Sequence, residues 1–358
     1  MQASAQSPTP RAVSSAPILD LAEWTNGYIG LETVTLARGD VHSGKYLYAE
    51  IFTPRSLRHP YPIILVHGGN SQGLDWLTTP DGRRGWALLL VEQGYRVYVI
   101  DRPGQGRPPY SPDLHGPYAD VFGRPPAPTY EQAIRNVVMS DVAGHTQWPG
   151  SGQIGDRALD QFMGSQGPAL PNAIGAETAW RFSGAKLLDE TGPAIFLTHG
   201  DGATFAWVAA DERPNLVKAI VTVESNNDPF AGQVVWGLTA IPLQFDPPLT
   251  DPHDFRLTEW TPPPGSPGPN RPFRIQAEPA RRLTNLRGIP IMWMQGENPY
   301  AGPAQVQFLT QSGCDAELVR LRDRGIEEGN TNLMLLERNN FEVFAIIRDW
   351  LNQRVRPV

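Results

Sequence analysis

The sequence predicts an α/β protein with a mostly parallel, doubly wound sheet, and three observations carry that expectation. Short apolar runs recur along the chain: YPIILV (61–66), YRVYVI (95–100), AIFLT (194–198), VKAIVTV (217–223) and IPIMWM (289–294). Near-continuous apolarity, rather than alternation, is what a strand buried on both faces requires. Helical stretches such as GWALLLVEQG (85–94) and TFAWVAADERP (204–214) fall between these runs, the β–α alternation of a doubly wound sheet. Finally, 36 Pro and 35 Gly stand among the 358 residues, about a fifth of the chain against an average near ~12%. Both residues break helix interiors, so a helical bundle or coiled coil is excluded and many turns and long loops are expected.

The elements follow in order. Residues 1–27 are polar and small, without periodicity, and read as a flexible N-terminal arm. Ala3-Ser4-Ala5 has the A-x-A form of a leader cleavage site, so a secreted or periplasmic location and a cytoplasmic one both stay open. Residues 28–53 alternate around ARGDVHSGK, a hairpin or meander. A buried strand then ends in His67-Gly68-Gly69. The helix over 85–94 is closed by Gly94, and a second buried strand ends at Asp101. Residues 107–185 break the pattern and read as a cap insertion. The sheet resumes at residue 186, and 226–280, centred on TPPPGSPGPNRP, reads as a second, Pro-rich insertion. The core is thus 28–106, 186–225 and 281–358, with the two insertions expected to cover a pocket. The last units are a strand over 289–294, a helix around 303–313, a strand AELVRLRD (316–323) and a helix over 333–352.

Composition removes several function classes. The net charge is -7 with no basic run, which argues against nucleic acid. No apolar stretch approaches ~18 residues, so no membrane span is expected. The single cysteine, Cys314, excludes an internal disulfide framework. No metal-ligand spacing is present, and Gly104-Gln105-Gly106 lacks the rest of a dinucleotide fingerprint, so no metal and no cofactor are expected. The expected partner is a small-molecule substrate or ligand, with a homodimer left open.

Three segments share the features of one catalytic layout. His67-Gly68-Gly69 follows the first buried strand. Thr198-His199-Gly200-Asp201-Gly202 forms a strand–turn–helix elbow. Gly329-Asn330-Thr331-Asn332 precedes the last helix. With TTPDGRRGW (78–86) and GNTNLMLLERNN (329–340), their order resembles the α/β-hydrolase superfamily. The closest resemblance is to a branch of bacterial esterases, some secreted, whose C-terminus reads G-N-x-H-M-M-M-x-x-x-N-N. It covers about residues 28–352 and is weakest in the insertions.

The resemblance implies an α/β-hydrolase fold with cap insertions, a nucleophile at the elbow, a histidine base, an orienting acid and an oxyanion hole. Gly200 occupies the nucleophile position and has no side chain. Asn332 occupies the histidine position and has no basic nitrogen. Glu224 matches the acid position of this branch, and Glu297 the more common one. The oxyanion hole would use backbone N–H groups of Gly68 or Gly69 and of Asp201. A slip of the turn that made Asp201 the nucleophile fits poorly, because His199 would then be a flank that should be small. His67, His199, Trp76 and Glu297 are candidate substrate contacts, each with a packing role as its alternative. His115 and His145 lie in the cap and read as solvated residues within reach of a ligand.

Loss of nucleophile and base together leaves three functional expectations. The first is a non-hydrolytic acid–base enzyme of lyase, isomerase or cyclase type, acting on a small apolar carbonyl, ester or lactone compound through Asp201, Glu224 and Asn332. The second is a ligand-binding protein without catalysis. The third is an esterase inactivated by substitution.

Overall fold

The computed structural model describes residues 19–117, 129–133, 145–225, 228–266, 270–296, 302–327 and 329–355. An eight-stranded sheet organises them. Its strands are β1 (Leu21–Ile29), β2 (Leu47–Pro54), β3 (Ile63–Val66), β4 (Val97–Asp101), β5 (Ala194–His199), β6 (Val217–Val223), β7 (Pro290–Gln295) and β8 (Asp315–Arg320). Across the sheet they run β1-β2-β4-β3-β5-β6-β7-β8. β2 pairs antiparallel with both β1 and β4, and every later pairing is parallel. The expected doubly wound, mostly parallel sheet is therefore present.

The apolar runs are explained by what lies on each face. Ile64, Val66, Phe196, Ile220, Ile291 and Trp293 enter one core, while Ile63, Leu65, Ile195, Leu197, Val221 and Met292 enter the other. Successive side chains of a strand point to opposite faces, so a strand covered on both sides is apolar at every position. One face carries α1 (Leu74–Leu77) and α2 (Trp86–Glu92), with α3 (Arg157–Ser165) contributing Leu159 and Phe162. The other carries α4 (Ala173–Thr191), α5 (Gly202–Glu212) and α6 (Gly302–Gln311), and α7 (Asn340–Arg354) returns to the first face.

Several expected boundaries move. The first sheet strand starts at Leu21, inside the segment read as arm. Its residues are mostly exposed, because β1 is the sheet's edge, so burial leaves little periodic signal there. Residues 173–185 belong to the core, not to the cap. They form most of α4, whose Trp180 is fully buried against Phe205 with ring centroids 5.4 Å apart. The second insertion does not form a cover of its own. Phe230, Trp236, Phe245 and Phe255 join the core of α4–α6, with ring contacts converging on Phe255. Glu177 on α4 clamps it by accepting the N–H groups of Ala240 (2.8 Å) and Ile241 (3.0 Å). The last helix begins at Asn340. Before it, the amides of Asn330 and Asn339 bond each other reciprocally at 2.7 and 2.8 Å, a side-chain alternative to helical bonding.

Trp180 also donates its indole N–H to the Phe205 carbonyl at 2.8 Å. Replacing it with Ala should cost about 3–5 kcal/mol, the range for emptying a large aromatic site. Urea unfolding monitored by far-UV circular dichroism checks this, and a loss under about 1 kcal/mol contradicts the packing described.

Candidate active site

The ends of β3, β5 and β6 come together with the loop before α7. At the elbow, Gly200 has φ 52° and donates its N–H to Val223 on β6 at 2.9 Å. α5 starts two residues later. A Cβ on Gly202 would lie 2.7 Å from the Val66 carbonyl and 2.8 Å from that of His67. The small residue at that place is thus forced by backbone, which cannot move aside. Position 200, a glycine, presents only main chain.

The loop after β3 approaches from the other side. His67 is fully buried. Its Nε2 accepts from the Arg102 N–H at 3.2 Å, so Nδ1 carries the proton and donates to the Gly68 carbonyl at 2.9 Å. Burial, then the Arg102 charge, pushes its pKa down to about 3. Both nitrogens serve the loop, which removes His67 as a substrate contact. Trp76 is removed likewise, since it is fully buried against Trp86. The N–H groups of Gly68 and Gly69 have no hydrogen-bond partner among the described residues, as an oxyanion hole needs. A Cβ on Gly69 would meet the Asp201 carboxylate at 2.5 Å, so Asp201 lies directly over this loop. Its counter-charge is Arg102, a residue the sequence reading passed over. That guanidinium is buried, donates to the Gly68 carbonyl at 2.6 Å, stacks 4.3 Å from the Phe205 ring and is attracted by Asp201 and Asp101.

His199 joins the elbow to the late loop. Its Nε2 donates to the Asn332 carbonyl at 2.7 Å, and burial pushes its pKa down to about 4. Its Nδ1 would sit 2.9 Å from a Cβ on Gly68, which accounts for the glycine there. His199 is therefore neutral at pH 7 and holds the loops together. Asn332 lies beside it, as the resemblance implies, through its main chain. Glu297 lies outside the described residues.

Glu224 follows β6 with φ 48° and is 2% exposed. Its carboxyl oxygen accepts the Gly296 N–H. Burial, then the nearby Glu337, pushes its pKa up to about 8. Its proton is thus held well above the usual carboxylate range. Glu337, also missed in the sequence, is fully buried. It accepts from Thr331 N (2.9 Å), Thr331 Oγ1 (2.6 Å) and Asn330 Nδ2 (2.6 Å). A charged residue inside the apolar run LMLLERNN was the signal that could have found it. Among the described residues no cluster of three or more His, Cys, Asp or Glu could hold a metal, and no helix is long and apolar enough to cross a membrane.

A carboxyl with its folded pKa raised from 4.5 to about 8 holds its proton in the fold where the unfolded chain has lost it. Its stabilising contribution is complete below about pH 4.5 and is lost as pH rises through 8. Glu224→Gln should flatten this decline, so the stability gap between wild type and variant narrows from pH 5 to 8. Denaturant titrations across that range test it, and a gap independent of pH contradicts a neutral Glu224.

No family profile matches the chain. A curated fungal protein, the "Probable secreted lipase phiG" of Fungal sp. (strain ATCC 74256), is 32% identical over 328 residues, spanning 87% of this chain and 88% of that protein. Among solved structures, a novel bacterial esterase aligns over 95% of this chain and 98% of its own, with a TM-score of 0.65 and 22% identity. With the sheet order, the elbow and the glycine loop in place, the chain belongs to the esterase and lipase branch of the α/β-hydrolase superfamily.

Proposed function

We propose that this site carries out a non-hydrolytic acid–base reaction, of lyase, isomerase or cyclase type, on a small and largely apolar carbonyl, ester or lactone compound. The observation that carries the reading is the glycine at residue 200 of the elbow, with Glu224 buried behind it and its pKa raised by burial. A serine mechanism needs a hydroxyl and a histidine able to take its proton. Here His199 spends its N–H on a backbone carbonyl and is too weak a base after burial.

The remaining groups suit enolate chemistry. In the proposed step the Asp201 carboxylate removes a proton from the carbon beside the carbonyl. The electron pair moves to the carbonyl oxygen, which the N–H groups of Gly68 and Gly69 receive. Glu224 returns a proton to the product, and the Asn332 amide offers a neutral hydrogen bond. Arg102 offsets the charge of Asp201, which would otherwise oppose an oxyanion beside it. A second reading, hydrolysis by a water molecule that Asp201 activates, is favoured by the printed name of the 32% identical relative.

p-Nitrophenyl acetate and butyrate separate the two. The acid–base reading expects no turnover by the wild-type chain, whereas hydrolysis that Asp201→Asn abolishes establishes the second. Gly200→Ser combined with Asn332→His should create esterase activity, since the oxyanion loop and Glu224 are already in place. A folded double variant with none contradicts an esterase-shaped site. In a panel of lactones and β-carbonyl compounds followed by mass spectrometry, Asp201→Asn and Glu224→Gln should each slow conversion by about 10²-fold or more. Unchanged conversion rules these residues out.

A further inference from the structure

One buried imidazole stands outside this machinery. His145 was expected to be a solvated cap residue. Instead its side chain is 3% exposed, and its Nε2 lies 3.1 Å from Oε1 of the fully buried Glu337. Neither ring nitrogen completes a hydrogen bond among the described residues. Buried polar atoms are nearly always satisfied, so an imidazole left with spare capacity beside a carboxyl group that already serves Thr331 and Asn330 marks a working group more readily than a packing one.

The surroundings fix where this ring sits. The same Glu337 oxygen holds Thr331 N and Oγ1, one residue before Asn332. The Asn332 carbonyl receives His199, the neighbour of Gly200. Glu337 is also close enough to Glu224 to raise its pKa. The residues after His145 are fastened to the late loop on two sides: Thr146 and Gln147 donate to the Gly329 carbonyl at 3.3 and 3.2 Å, and Arg338 donates to that of Gln147 at 2.8 Å. The first insertion thus delivers a histidine, with its carboxylate partner, to the loop whose own histidine position holds Asn332.

We propose that His145, oriented by Glu337, is a proton-transfer residue of this site, acting from the insertion where the late loop no longer can. A carboxyl group 3.1 Å from an imidazole nitrogen stabilises the imidazolium that proton transfer creates. The inference rests on the elbow and the glycine loop being the reacting centre, not on the identity of the natural substrate.

Supplying the missing nucleophile tests it directly. In Gly200→Ser, the new hydroxyl oxygen attacks the carbonyl carbon of p-nitrophenyl acetate while its proton passes to a ring nitrogen of His145. The carbonyl electron pair moves to the oxygen held by Gly68 and Gly69 and returns as p-nitrophenolate departs. The imidazolium then releases the serine proton to solvent. Water attacks the acyl carbon, giving its proton to the freed nitrogen, which passes it to the serine oxygen as acetate leaves. Gly200→Ser alone should hydrolyse the ester. Adding His145→Gln or Glu337→Gln should lower kcat by about 10²-fold or more with KM little changed. With His145→Gly instead, free imidazole should restore part of the rate, which a packing role would not allow. An inactive Gly200→Ser beside an active Gly200→Ser/Asn332→His overturns the proposal, as does activity indifferent to His145. Should Gly200→Ser not fold, imidazole ¹⁵N NMR of the wild-type chain titrated with butyrate decides. The His145 signal is expected to move, and a fixed His145 signal beside a moving His199 signal overturns it.

Discussion

The close approach of the β5–α5 turn to the loop after β3 is the constraint on which the rest of the site depends. Three glycines make it possible. Gly202 passes under the Val66 and His67 carbonyls, Gly68 leaves room for the His199 ring, and Gly69 for the Asp201 carboxylate. A methyl group at any of them would meet an atom within 3 Å. Because main chain meets main chain at Gly202, the geometry survives whatever residue stands at position 200. Gly200 itself takes φ 52° at the turn without strain.

Two hydrogen-bonded systems hold the constraint in place. Beneath the glycine loop, His67 and Arg102 exchange bonds with backbone, and Asp101 accepts from Gly73 (2.5 Å) and from Arg107 Nε (2.6 Å). Above the elbow, His199 ties β5 to Asn332, Glu337 ties the late loop to itself, and Gly329 and Arg338 tie it to the first insertion. The insertion also reaches the glycine loop: Asn70 and Gly167 bond each other reciprocally at 3.0 and 2.8 Å, and Gln72 donates to the Ser165 carbonyl at 3.0 Å. The lowered pKa values of His67 and His199 and the raised one of Glu224 share one main cause. For His67, His199 and Glu224 burial is the largest cause, and it disfavours charge.

Much of this was legible in the sequence, for physical reasons that differ by element. Strands buried on both faces announce themselves by continuous apolarity, so β3 to β7 were readable. The edge strand β1, with its side chains mostly in solvent, was not. Gly200, Glu224 and the glycine loop could be located because the order of these segments resembles that of the esterase branch. Roles that depend on three-dimensional neighbours stayed hidden. His67 and Trp76 looked like pocket residues until burial removed them. Arg102, Glu337 and His145 gained meaning only from distant partners, the last two 192 positions apart in sequence and 3.1 Å apart in the fold. The second insertion misled for a related reason: its Pro-rich centre suggested a lid, while Phe230, Trp236 and Phe255 carried it into the core.

Under the proposed function, Glu224 is a neutral acid at pH 7. Infrared difference spectroscopy between the wild-type chain and Glu224→Gln reads this directly, because a protonated carboxyl has a C=O stretch that a carboxylate lacks. At pH 7 the wild-type chain should show that band, it should vanish in the variant, and it should fade as pH passes about 8. A difference spectrum at pH 7 containing only carboxylate bands would contradict the account.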